Sequence, residues 1–380
     1  MENFDSGKYD DIRPYTDSET KAALGRIAGA PELDAISGFL FPGQSPDNLR
    51  RLIRKLDSVD SFQTEVMASA VRTIVKRTSE GVTYGGLENA MDGKTHIIVS
   101  NHRDIILDPA IIQLILHENH APTTEIAVGD NLISSGFIED IFRSNRMIKV
   151  VRGGTTREKY MASRHLSEYM RNDVVSGRCS VWIAQKNGRT KDGTDRTSQG
   201  LLKMFEMSGE GDFVNDFVNL SMLPVSISYQ YEPCDFLKAR ELYISRRGEY
   251  VKQPGEDTNS ILQGVLQYKG GIHFEFNRSI TEKEIADCAS LGKNERYQAL
   301  ALVIDDKIRS SFRLWDNNYI AYDMLNGGGR FAGKYSAEAA SAFRAYMEKG
   351  LSAIVGKEPY ILIGELREIF LSIYAGPICF

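Results

Sequence analysis

Residues Ile97–Leu116, IIVSNHRDIILDPAIIQLIL, hold the part of the chain on which its fold turns. HIIVS reads as a buried strand, and PAIIQLIL reads as a helix. Between them the polar break NHRD interrupts an apolar segment, and polar groups set against a core are costly unless paired. Asp108-Pro109 favours a helix start, with Asp a good cap and Pro a good first residue. The residue before Pro is disfavoured in the helical region, so 102–107 is not expected to be smooth helix. That matters for His102 and Asp108, which are six positions apart. On an ideal helix they would point roughly 120° away from each other. With His102 in a loop at the carboxyl end of a strand, they are able to meet.

The pattern extends outward from this stretch. Short β-rich runs (HIIVS, EIAVG, RMIKVV, CSVWIA, LPVSISYQY and IHFEF) alternate with helical segments from about Lys94 to Asn277. This alternation predicts an α/β domain with a mostly parallel sheet flanked by helices. The expected organisation is a helical N-terminal region over 1–85, the α/β domain over 86–280 and a helical C-terminal extension over 281–380. In the first region, Ser45 is a candidate cap for SPDNLRRLIRKL, and nothing there alternates like a strand.

A chain of 380 residues exceeds the usual single-core size, which fits one domain with helical extensions. The net charge of -5 argues against a general nucleic-acid binder but leaves room for a local basic patch. Cys179, Cys234, Cys288 and Cys379 are far apart, with no CxxC pair. They read as reduced thiols of a cytoplasmic protein rather than a zinc site or a disulfide framework. The N-terminus is acidic and polar, unlike a secretory signal. No run is long and apolar enough to span a bilayer. The C-terminal YILIGELREIFLSIYAGPICF is broken by Glu365, Arg367 and Glu368 and reads as a packed amphipathic helix.

Open α/β sheets place ligands at the carboxyl edge of their strands, where NHRD falls. In a functional reading His102 is a general base and Asp108 holds its imidazole in the useful tautomer. In a local reading Asp108 merely caps the helix. SNHRDIILDP resembles the His–Asp motif of the glycerolipid acyltransferase superfamily, which includes glycerol-3-phosphate and 1-acylglycerol-3-phosphate acyltransferases. In that family four residues separate the His from the Asp; here five do, Arg103 to Leu107. Alignment on Asp-Pro makes Asp108 the family Asp, with Asp104 as the alternative partner.

Three further blocks follow in the family's order. In MIKVVRGGTTREKY, Arg152 stands before a helix that Thr155 or Thr156 can cap, a good place for an anion. The resemblance implies that Arg152 binds the acceptor's phosphate. In VWIAQKNGRTKDGTDRTSQG, Gly188 and Arg189 match the family's third motif, and Asn187 stands where the family has Glu. Asn cannot act as a carboxylate. Taken alone, this charge-rich loop reads as solvated. In MLPVSISYQY, Leu223, Pro224 and Val225 match the fourth motif, a core strand with a possible added role in lining the acyl or acceptor pocket.

The resemblance implies acyl transfer from acyl-CoA or acyl-carrier protein to a hydroxyl of an anionic lipid precursor, with no metal and no bound cofactor. Asn187 and the longer spacing motivate a second reading, an amino-acid-derived or sugar lipid acceptor. A third is a lipid-binding homologue with weakened catalysis. No G-x-S-x-G elbow supports a hydrolase. Lipid acceptors and the basic, partly amphipathic NLRRLIRKL make a peripheral contact with the inner face of the membrane an expectation.

Overall fold

The apolar run at Ile97 becomes the middle of a seven-stranded sheet in the computed structural model. The structure describes residues 6–379 apart from Pro42, Gln44, Ser134, Ser135 and Asn294. The strands are β1 (Gly81–Gly85), β2 (Ile97–Ser100), β3 (Glu125–Gly129), β4 (Met147–Val150), β5 (Val181–Ala184), β6 (Leu223–Tyr229) and β7 (Gly271–Phe276). Their order is β1-β7-β6-β2-β5-β3-β4, and every pairing is parallel except β6 with β7. The expected α/β architecture is therefore the observed one.

Both faces of β2 are covered, which is why it reads as an unbroken apolar run rather than an alternating one. Ile97 and Val99 pack with helices Thr156–Val175, Gln199–Glu206 and Glu295–Ser310 on one side. Ile98 packs with helices Ala68–Thr78 and Leu107–Glu118 on the other. The chain leaving β2 travels past β5 to form β3, whereas the chain leaving β5 returns across β2 to form β6. The carboxyl ends of β2, β5 and β6 thus border a switch in strand order, where such sheets form a crevice.

One element departs from the sequence reading. Gly81–Gly85 falls in the region taken as helical, yet it is an edge strand paired with β7 from Gly81↔Gly271 to Gly85↔Glu275. Only five residues long with a glycine at each end, GVTYG has too little apolar patterning to announce itself. The turn after it requires glycine. Gly86 has φ +64, and a Cβ there would lie 2.1 Å from the Phe276 carbonyl oxygen.

The N-terminal region is otherwise helical, and Ser45 caps helix Pro46–Ile53 as its sequence suggests. The C-terminal extension has its own core, in which Phe343, Leu366, Phe370 and Tyr374 are buried against helix Asp235–Ser245. The Phe370 ring stacks on Phe236 at 5.0 Å. Buried Asp235 accepts hydrogen bonds from the Tyr346 and Tyr374 hydroxyls at 2.8 and 2.7 Å, tying the extension to the segment that follows β6. Ile363–Ala375 is the packed amphipathic helix expected, with Leu366, Ile369, Phe370 and Ile373 buried. Among the described residues no helix is long and apolar enough to cross a membrane.

Phe370→Ala removes a fully buried ring from a hydrophobic cluster that joins the extension to the sheet domain's Asp235 helix. It is expected to cost about 3–5 kcal/mol, read as a lowered denaturation midpoint of the extension.

Candidate active site

At the end of β2 the chain needs partners for an unpaired loop backbone, and Asp108 supplies them. Its carboxylate is fully buried. Oδ2 accepts from the backbone N–H groups of Arg103 and Asp104 at 2.6 and 2.9 Å and lies 3.0 Å from His102 Nδ1. Oδ1 accepts from the Tyr229 hydroxyl at 2.8 Å. A carboxylate as acceptor places the imidazole proton on Nδ1 and leaves the Nε2 lone pair for chemistry. Nε2 has no hydrogen-bond partner among the described residues, and the ring is 13% exposed. The Trp182 ring holds the other side of the imidazole in an edge contact at 5.8 Å.

The structure brings His102 and Asp108 together as the loop-plus-helix geometry allows. Asp108 turns back into the loop instead of capping helix Leu107–Glu118. The alternative partner, Asp104, does that work: its Oδ1 accepts from the N–H groups of Ile106 and Leu107 at 2.9 and 2.8 Å. Its Oδ2 has no hydrogen-bond partner among the described residues and lies against Gly264, where a Cβ would come within 2.2 Å. Burial, and then the neighbouring Asp108 charge, push the Asp104 carboxyl above its ordinary range.

A second shell of buried charge anchors this loop. Arg103 is buried and pairs with Asp195, and its other amino group lies 3.4 Å from Glu232. Lys238 Nζ donates to Glu232 at 2.6 Å and to the Arg103 carbonyl at 2.8 Å. Burial works against the Arg103 charge, but Asp195 and Glu232 outweigh it and raise its pKa. Asn101 donates to Asp195 and to the Ile227 carbonyl, and accepts from Ile227 N at 2.8 Å, fixing the loop to β6.

The charge-rich loop after β5 is therefore not simply solvated. Thr190 and Asp195 are buried, and Thr190 N donates to the His102 carbonyl at 2.7 Å. The reason is the buried Arg103, which needs a carboxylate and finds Asp195 there. Gly188 has φ +76, a backbone state suited to glycine, and Asn187 beside it is exposed. Arg189 is half-buried with its Nη1 unpartnered, and its charge acts on Asp104, Cys234 and Asp257.

Arg152 lies at the same edge, folded over the end of β3, where a Cβ on Gly129 would come within 2.4 Å of its Nε. Its backbone N–H donates to Asp130 Oδ1 at 3.3 Å, and burial lowers its pKa against the opposing charges of Asp130 and Asp257. The helix N-terminus beside it is already occupied. Thr155 caps Thr156–Val175, and the Glu158 carboxylate returns to Thr155 N at 2.7 Å. An anion at this edge would meet Arg152 beside a first turn that already carries the Glu158 carboxylate. Pro224 lies elsewhere: it is buried within the sheet, in register with Val99, three residues before the Ile227 that Asn101 grips.

Sequence reasoning passed over Tyr229, Asp195, Glu232 and Lys238. The signal for Tyr229 was its place at the carboxyl end of a buried strand, level with the polar break. Arg103→Met would leave Asp195 buried without its counter-charge and take from Glu232 the more distant of its two cations. The expected loss is about 3–5 kcal/mol of stability, measured by denaturant unfolding, with Lys238 offsetting part of the Glu232 charge.

No curated protein matches the chain. Residues 81–228 match the family model described as Acyltransferase, a span that begins with β1 and ends within β6. It includes His102, Asp108, Arg152, Asn187, Gly188, Arg189 and Pro224. The match supports the glycerolipid acyltransferase superfamily and, with it, acyl transfer as the class of reaction to which this sheet domain is suited.

Proposed function

We propose that the protein transfers a fatty acyl group from acyl-CoA or acyl-carrier protein to a hydroxyl of a glycerol-phosphate-type acceptor in phospholipid synthesis. The observation that carries this reading is the His102–Asp108 contact at 3.0 Å, with Asp108 buried and fixed by three further donors. His102 Nε2 takes the proton from the acceptor hydroxyl as its oxygen attacks the thioester carbonyl. Asp108 fixes the ring and stabilises the imidazolium; the proton then leaves with the thiolate, giving ester and free thiol. Arg189, with a buried Nη1 left unpartnered, and Arg152 are the cations suited to orient an anionic acceptor. Where the acceptor is a lipid, the reaction is placed at a membrane surface, with peripheral contact on the cytoplasmic side.

A second reading, an acceptor that also carries an amino group, is favoured by Asp130 and Asp257 beside Arg152. A rim with both signs of charge suits an amino-acid-derived lipid precursor better than a simple phosphate.

Thiol release from palmitoyl-CoA and palmitoyl-carrier protein, with a panel of acceptors, tests both readings. Release dependent on a glycerol phosphate is expected, reduced about 10²–10⁴-fold in His102→Ala. Release with an amino-lipid precursor alone would select the second reading. A His102→Ala enzyme as fast as wild type would remove the mechanism.

A further inference from the structure

A cavity of about 480 Å³ lies between helices Asp235–Ser245, Glu256–Leu266 and Ala337–Lys357, with all its lining residues outside the span matched by the acyltransferase family. Small-molecule sites occupy about 300–1,000 Å³. Phe236, Leu237, Ala353 and Ile354 give it apolar walls, and Cys234 and Ser260 form its buried inner end. Its carboxylates are occupied by the protein itself. Glu358 holds Arg240 and accepts from Tyr360, Glu256 accepts from Tyr250, and Asp235 holds two tyrosines. Lys357, exposed at the open side, has no carboxylate partner among the described residues.

The surroundings of the opening are equally specific. The three most exposed large apolar side chains among the described residues are Val251 at 67%, Tyr360 at 66% and Leu362 at 58%. Val251 and Tyr360 are close in sequence to the lining residues Tyr250 and Glu358. Leu362 is held at the end of the Asp235–Ser245 helix, its N–H accepting partner being the Tyr243 hydroxyl at 2.9 Å. Scattered exposed apolar residues need no explanation, but Val251 and Tyr360 each stand within two residues of a lining residue of one apolar cavity, which fits a ligand of the same character. The cavity also adjoins the site: helix Glu256–Leu266 presents Ser260 and Gln263 to it and Gly264 to Asp104.

We propose that this cavity binds a single aliphatic chain ending in an anionic head, with the chain along Phe236, Leu237 and Ile354 and the head at Lys357. That the ligand is a fatty acyl chain rests on the acyl-transfer reading; the cavity and its apolar opening do not. The C-terminal extension would then be part of the lipid-handling surface rather than a prop for the sheet domain.

The test is saturable binding of the fluorescent fatty acid cis-parinarate to the full chain and its displacement by decanoate, dodecanoate and tetradecanoate. Each step of two methylenes is expected to tighten displacement roughly tenfold. Ala353→Trp, which fills the cavity from an exposed position, should weaken every ligand by about tenfold or more. Lys357→Glu should weaken dodecanoate and leave dodecanol unchanged. His102→Ala should bind as wild type does, so a failure of acyl transfer and a failure of chain binding are read separately. Uptake from phosphatidylcholine–phosphatidylglycerol vesicles, slowed in Val251→Asp/Leu362→Asp while monomer binding holds, would assign a bilayer as the source. Equal uptake in that variant would assign the same site to soluble chains. Absence of saturable displacement, or wild-type affinity in a folded Ala353→Trp protein, would overturn the proposal.

Discussion

One buried carboxylate organises the carboxyl edge of this sheet. Asp108 gathers two loop N–H groups, a tyrosine hydroxyl and an imidazole around its two oxygens. A charge placed so deep is tolerable because four donors converge on it, and the loss of one would leave the charge poorly compensated. The same four contacts hold the loop after β2 and clamp the end of β6. The imidazole is thus oriented by groups that also hold the fold together.

Around that carboxylate lies a shell in which Arg103, Asp195, Glu232 and Lys238 balance one another. They come from three stretches of chain, so the shell joins the loop after β2, the loop after β5 and the segment after β6. Phe312, from the helical C-terminal part, lies 5.1 Å from the Arg103 guanidinium. Tyr346 and Tyr374 on Asp235 extend the connection into the last helices. The extension is therefore coupled to the segment beside the site through hydrogen bonds as well as through an apolar core.

Most of the sheet could be read from sequence because its strands are covered on both faces and so appear as apolar runs. The meeting of His102 and Asp108 could be read because proline restricts the residue before it, which ruled out a continuous helix. What could not be read depends on partners distant in sequence. Asp195 looks like a loop charge until Arg103, 92 residues earlier, is found buried against it. Tyr229 looks like one more strand residue until its hydroxyl reaches Asp108. Gly81–Gly85 becomes a strand because β7 offers it an edge, since Val82, Thr83 and Tyr84 favour strands but form too short a run between glycines to be told from a loop. Beside Arg152 the Glu158 carboxylate returns to Thr155 N, a capping contact that the sequence reading did not include.

The measurement that bears most directly on the role of this pair is acyl transfer by Asp108→Asn, made beside its thermal unfolding. An amide retains the shape of the carboxylate but can neither hold the imidazole in one tautomer nor stabilise its cation. If His102 is the base and Asp108 its orienter, kcat falls by about 10²–10⁴-fold in a protein that still unfolds cooperatively. Wild-type kcat in a folded Asp108→Asn protein would contradict that assignment and leave Asp108 as a purely structural carboxylate.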